Sequence, residues 1–152
     1  DDLMFATLDP VSKRLRFPKD NNIIINDTVG FIKNLPIDLR GAFKSTLEEL
    51  YESTILLHLV DISNEQYEKQ IKDVNTILEE LDMHEKEQLL VFNKIDLIDE
   101  NTLLKVKRRF KDSIYISAIN KNSFDELLNK IFYCLFLAKK DIPSYNKDYV
   151  IN

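Results

Sequence analysis

Leu89-Leu90-Val91-Phe92-Asn93-Lys94-Ile95-Asp96 is the stretch on which the reading of this chain turns. Four apolar residues in a row suit a strand covered on both faces of a sheet. The polar tetrad then falls at the carboxyl end of that strand, the edge where open α/β sheets bind ligands. Guanine offers two donors, N1–H and the 2-amino group, and the Asp96 carboxylate supplies two acceptor oxygens to meet them. Adenine has no such pair, so a pocket built on Asp96 rejects it by leaving a buried charge unpaired. Asn93 would hold the loop and reach the base N7, while the aliphatic stem of Lys94 lies over the ring. The tetrad is the most specific piece of the chain, and its plain alternative is a charged helix-entry turn.

Two further motifs in the right order tip that balance. Downstream, Ile114-Tyr115-Ile116 reads as a strand and is followed by Ser117-Ala118, whose Ala118 N–H could meet the base oxygen. Upstream, the strand Ile23 to Asn26 ends in Asp27-Thr28-Val29-Gly30. A carboxylate at Asp27 can hold Mg²⁺ through a coordinated water. Gly30, without a side chain, lets its N–H approach a γ-phosphate and lets the segment reorient when that phosphate leaves. Thr7, in Phe5-Ala6-Thr7-Leu8-Asp9-Pro10, could ligate Mg²⁺ through its hydroxyl and meet the γ-phosphate through its N–H. Each of these is an ordinary turn or loop when taken singly; their joint order is what points to a guanine nucleotide. One part is missing. A phosphate loop of the form GxxxxGK[ST] needs glycines to close backbone N–H groups around phosphates. The chain has two glycines, Gly30 and Gly41, and their spacing does not allow that loop.

Along the rest of the chain, apolar runs alternate with helical periodicity, the pattern of an α/β fold with a mostly parallel sheet. Strands are expected at Leu15 to Phe17 and Ile23 to Asn26, antiparallel because the turn Pro18-Lys19-Asp20-Asn21-Asn22 is too short for a crossover. A helix with Asp38 as N-cap should run to about Tyr51, and Ile55 to Asp61 should be a strand covered on both faces. Two helices carry apparent capping boxes, Ser63 with Gln66 and Ser123 with Glu126. The first buries Tyr67, Ile71, Val74, Ile77, Leu78 and Leu81. The last buries Phe124, Leu127, Leu128, Ile131, Phe132 and Leu135. Between them lies a helix from about Glu100 to Phe110. Past Lys139 the pattern gives way to a linker-like tail, so the domain spans residues 1–140 and the tail 141–152.

Composition narrows the class. With 152 residues, 44% of them apolar, the chain can bury one core. It has no membrane-spanning run and no signal segment. The one cysteine, Cys134, cannot form an internal disulfide and sits in an apolar helical stretch, which suits a buried thiol in a reducing compartment. A net charge of −5 argues against non-specific binding of DNA or other nucleic acid by the chain as a whole. The run Lys105 to Arg109 reads as a solvated helix face. His58 reads as a hydrogen-bonded core residue, His84 has no zinc-ligand spacing around it, and Glu48-Glu49 reads as helix surface. The opening Asp1-Asp2-Leu3 suits a piece of a longer chain.

From Phe5-Ala6-Thr7-Leu8-Asp9-Pro10 through Asp27-Thr28-Val29-Gly30-Phe31-Ile32, Leu35-Pro36 and Thr46-Leu47-Glu48-Glu49 the chain resembles the HflX family of GTPases. The likeness continues through Leu56-Leu57-His58-Leu59-Val60-Asp61 and Asn93-Lys94-Ile95-Asp96 to Ser117-Ala118, nearly to residue 138. It implies a three-layer P-loop GTPase-like fold, here without the first strand and phosphate loop, and binding of GTP or GDP with Mg²⁺ held by Thr7 and Asp27. It also implies association with the large ribosomal subunit, in ribosome splitting, rescue or biogenesis, in the cytoplasm or an organelle. The chain departs from the pattern in having Lys121-Asn122-Ser123 where the family has Gly-x-Gly. Phe31 occupies the position where Ras-like enzymes carry a water-orienting Gln, so intrinsic turnover should be slow even in the intact parent. The missing strand would lie between those at 23–26 and 55–61, so the isolated chain should be weak or inactive as a GTPase. It should also be unstable, aggregate, or close the gap by non-native pairing. The alternative function is a degenerate module that contacts guanine nucleotide or ribosome without hydrolysis.

Overall fold

The computed structural model describes residues 11–27 and 50–138. Thr7, Gly30, Phe31, Glu48-Glu49, most of the helix expected from Asp38, and the domain boundary with its tail lie outside these residues. Two sheets are present among them. Strands β1 (Val11–Arg16) and β2 (Asn22–Asp27) form an antiparallel hairpin, as the short turn requires. Its turn holds Lys19 and Asp20 at φ 63° and 59°, a left-handed pair in residues that ordinarily avoid it. Phe17 N–H donates to Asn21 O at 2.7 Å, and the Asn21 and Asn22 amides donate to Pro18 O and Asp20 O, both at 3.0 Å, tying the turn down.

The second sheet is parallel, in the order β3 (Leu56–Asp61), β4 (Gln88–Asn93), β5 (Ile114–Tyr115). Helices α1 (Tyr67–Glu80) and α2 (Glu100–Arg109) make the crossovers, and α3 (Asp125–Phe132) follows β5. Alternation along the strands divides the core into two layers. On one face Leu89, Val91, Ile114 and Ile116 pack with Leu127, Ile131 and Cys134 from α3 and its extension. On the other, Val60, Ile62, Phe92 and Tyr115 pack with Ile71 of α1 and Val106 of α2. Val91 and Phe92 are 0% exposed, so β4 is the centre of a helix–sheet–helix sandwich. The hairpin joins through Phe17, whose ring lies 5.5 Å from Phe132 and 6.2 Å from Phe136, and through Ile23. A third cluster, Leu50, Leu78 and Met83, receives the helical residues 50–52. There Tyr51 Oη donates to Leu81 O at 2.6 Å and Lys86 Nζ to Tyr51 O at 2.8 Å.

Several local expectations are corrected. β1 begins at Val11 and stops before Phe17, which belongs to the turn. β3 is covered on one face only: Val60 is buried, but Leu57 and Leu59 are 38% and 61% exposed. Neither capping box forms. Ser63 bonds to Asp61 instead, and α1 starts at Tyr67 with no side-chain cap. Ser123 bonds to the Ser117 backbone, inside a 3₁₀ turn (Lys121–Phe124) that precedes α3. The middle helix has a cap that the sequence pattern did not single out: Asp99 accepts from Thr102 N–H at 2.9 Å. The last helix widens into a π-helical stretch, Tyr133–Leu137. Cys134 is buried and the 105–109 face is solvated, both as expected. Among the described residues β2 pairs only with β1 and β3 only with β4; no pairing of β2 with β3 closes the gap between the sheets. None of their helices is long and apolar enough to cross a membrane.

Candidate functional site

Parallel register sets Asp61 beside Asn93, so β3 and β4 end at one edge. There the chain leaves β4 through Lys94, held in the left-handed region at φ 67°, and enters a 3₁₀ turn, Ile95–Leu97. A lysine pays for that conformation with steric strain of order 1–2 kcal/mol, and Asn93 provides the compensation. Its Oδ1 accepts from Lys94 N–H at 2.8 Å and from Ala118 N–H at 2.9 Å. One amide oxygen therefore joins the β4 loop to the β5 loop. Ser117 Oγ donates to Asp96 Oδ1, making a second cross-loop bond, and Ile95 N–H reaches Ile116 O at 3.3 Å. Ser117 is itself 3% exposed and its N–H donates to Ser123 Oγ at 3.0 Å. The serine that stands where a glycine was expected thus braces the loop with its side chain.

Asn93, Lys94, Asp96, Ser117 and Ala118 are brought together, as their sequence order suggested. The Ala118 N–H offered to a base oxygen is engaged by Asn93 Oδ1, so the two acceptors compete for it. Asp96 is exposed, and among the described residues Ser117 is its only hydrogen-bond partner. Asp27 ends β2, in the other sheet; it is exposed and makes no hydrogen bond or ion pair with this cluster. Thr7 and Gly30 lie outside the described residues. Among those described, no group of three or more His, Cys, Asp or Glu could hold a metal ion.

Sequence motifs gave Asp61 no role at the site, yet it belongs here. Its Oδ2 accepts from Lys94 Nζ at 2.6 Å, and its Oδ1 from Ser63 Oγ at 2.6 Å and Ser63 N–H at 3.0 Å. The Lys94 ammonium and the Ser63 hydroxyl hold its carboxyl below the usual carboxylate range. The signal was available: Asp61 follows the apolar run Ile55 to Val60 just as Asp27 and Asn93 follow theirs. His58, on the same strand, takes a hydrogen bond at Nδ1 from Gln88 Nε2 at 2.7 Å, and burial lowers its pKa. It is hydrogen-bonded, as expected, but half-buried on the strand and outside the core clusters.

The arrangement is a shelf of polar groups from two cross-braced loops, with the Asp96 carboxylate exposed and the Lys94 ammonium held by Asp61. Comparison with known proteins gives it a context. Residues 1–94 match the model of a family described as "50S ribosome-binding GTPase". Among curated proteins, the chain is similar to GTPase HflX of Alkalihalophilus pseudofirmus, 43% identical over 131 residues, covering 86% of this chain and 30% of that protein. It is 43% identical over 136 residues to GTPase HflX of Caldanaerobacter subterraneus, covering 90% and 31%. It is 46% identical over 99 residues to GTPase HflX of Escherichia coli, covering 65% and 23%. The chain thus spans about a third or less of the length of these relatives.

Proposed function

The chain belongs to the HflX family of GTPases, and from that premise we propose that its β4 and β5 loops form the base-recognition half of a GTP site. Asp96 takes the guanine N1–H and 2-amino group, Asn93 holds the two loops and turns its amide toward N7, and Lys94 lies along the ring. Ser117 orients the Asp96 carboxylate, and the Ala118 N–H passes from Asn93 to the base oxygen on binding. The observation that carries this reading is the pair of cross-loop bonds, Asn93 to Ala118 and Ser117 to Asp96, which present one carboxylate at a strand-end shelf. Asp61 steadies the Lys94 ammonium at the rim of the same shelf.

Mg²⁺ fits the chemistry of Asp27, a hard carboxylate oxygen at a strand end with no cation paired to it among the described residues; Thr7 is the second proposed ligand. When bound, Mg²⁺ supplies neutralisation of phosphate charge. Hydrolysis of GTP, with the large ribosomal subunit as partner and stimulus in the cytoplasm, is proposed for the whole protein in which this chain occurs. Phe31 beside Gly30 can neither orient a water nor accept its proton, so slow turnover without that partner belongs to the same reading.

Asp96→Asn tests the site. An amide places a donor where xanthine carries its 2-oxo group, so the variant should lose at least about tenfold in affinity for a fluorescent GDP analogue and prefer the xanthine analogue. Retention of guanine preference removes Asp96 from the base pocket. Guanine-nucleotide binding by the unmutated chain, in a protein that never hydrolyses GTP even with large subunits present, favours the non-hydrolytic module.

A further inference from the structure

The β1–β2 hairpin carries Lys13, Arg14, Arg16 and Lys19 within seven residues of a chain whose net charge is −5. Strand alternation and the observed register sort them. Leu15 pairs with Ile23, and Ile23 and Phe17 turn toward the core. Ser12, Arg14 and Arg16 lie on the opposite face, across from Asn26, Ile24 and Asn22. That outer face is open: both arginines are exposed, Ile24 is 66% exposed, and Ser12 Oγ bonds to Asn26 Oδ1 at 2.8 Å. Arg14, Arg16, Phe17, Asp20 and Asn22 line a cleft of about 150 Å³. Among the described residues neither arginine has an ion-pair partner. The other basic stretch is partly committed, since Arg109 pairs with Glu68 and Lys107 lies over the Tyr115 ring.

We propose that the outer face of this hairpin docks the phosphate backbone of a folded RNA segment. The proposal rests on the ribosomal reading above and names the chemistry of the contact. Guanidinium groups two residues apart on one strand face present planar forks suited to phosphate oxygens. Ser12 Oγ donates to Asn26 Oδ1 and the Asn22 amide to Asp20 O, which leaves the Asn26 amide N–H and the Asn22 amide oxygen to serve ribose 2′-OH groups as donor and acceptor. Asn26, on this face, directly precedes Asp27 at the end of β2.

The test uses the 152-residue chain, a fluorescent RNA stem–loop read by anisotropy across a salt titration, and purified large ribosomal subunits read by co-sedimentation. Arg14→Ser/Arg16→Ser should weaken RNA binding at least about tenfold and flatten the slope of log affinity against log salt by about 2, one per lost phosphate contact. Lys105→Ser/Arg108→Ser removes the same charge from α2 and should change neither. Both pairs are exposed, and circular dichroism checks that each variant folds. Arg14→Lys/Arg16→Lys should retain most of the slope. No RNA binding, an unchanged slope, equal loss in the α2 control, or preference for polyglutamate over RNA each overturns the proposal. Hairpin-dependent binding to the stem–loop without binding to subunits upholds the surface and sinks the ribosomal reading. Subunit binding that ignores the hairpin does the reverse.

Discussion

Asn93→Ala should loosen the β5 loop without unfolding the protein. The side chain's Oδ1 satisfies two N–H groups, Lys94 at 2.8 Å and Ala118 at 2.9 Å. Each such bond contributes about 0.5–1.5 kcal/mol net, and water can replace part of the loss at exposed Ala118. The Lys94 N–H is the more costly, because that bond steadies a left-handed residue at φ 67°. The local cost is therefore about 1–2 kcal/mol, a five- to thirtyfold gain in opening of the two loops. Amide hydrogen exchange reads it directly: Lys94 and Ala118 should lose about tenfold in protection, while Val91, at 0% exposure in β4, reports the global stability. Asn93→Asp keeps the acceptor oxygen and should keep the protection, though it loses the amide donor offered to N7. Exchange at Ala118 that is indifferent to Asn93→Ala would refute the idea that this oxygen clasps the loops.

Asp61→Asn removes an ion pair whose side chains are 33% and 49% exposed, so global stability should fall by less than about 1 kcal/mol. Affinity for a fluorescent GDP analogue should drop a few-fold and combine non-additively with Lys94→Met; strict additivity would uncouple the pair. His58 has its pKa lowered from 6.5 by burial, so the unfolded chain binds more protons below that value. Its contribution is complete above pH 6.5 and is lost as pH falls through the lowered folded value, and His58→Gln should remove that part of the acid loss in urea titrations at about pH 7.5 and about pH 5.5. An identical acid loss in the variant would clear His58 of the effect. Burial pushes the Cys134 thiol up to about 11, so a disulfide reagent at about pH 8 should label it only as fast as the protein unfolds. Immediate stoichiometric labelling would contradict its burial.

The strands and the loop cluster were legible because apolar runs and their polar ends obey short-range rules. Leu89 to Phe92 suits a buried strand, and the residues directly after a buried strand lie at its carboxyl edge. The side-chain bonds were not legible, because they depend on which groups compete for one another. Ser63 looked like a helix cap but meets Asp61 first, and Ser123 meets the Ser117 backbone three-dimensionally before it can serve α3. The one-sided cover of β3 escaped for a related reason: Leu57 and Leu59 are as apolar as their buried neighbours, and only the neighbouring layer decides which are sheltered. Asp61 was missed by attention to named motifs where the positional rule alone would have found it.

The division into two sheets also governs how the molecule comes apart. The hairpin packs on the core through Phe17 and Ile23, whereas β4 is flanked by strands on both sides and helices on both faces. Such a ribbon is a natural subunit of partial opening: it can lift away and reseat while the remaining layers stay closed. Deuterium should then enter residues 11–27 in a faster, denaturant-insensitive phase than it enters 88–93. A partner that clamps the ribbon would be felt as slowed uptake far from its own footprint.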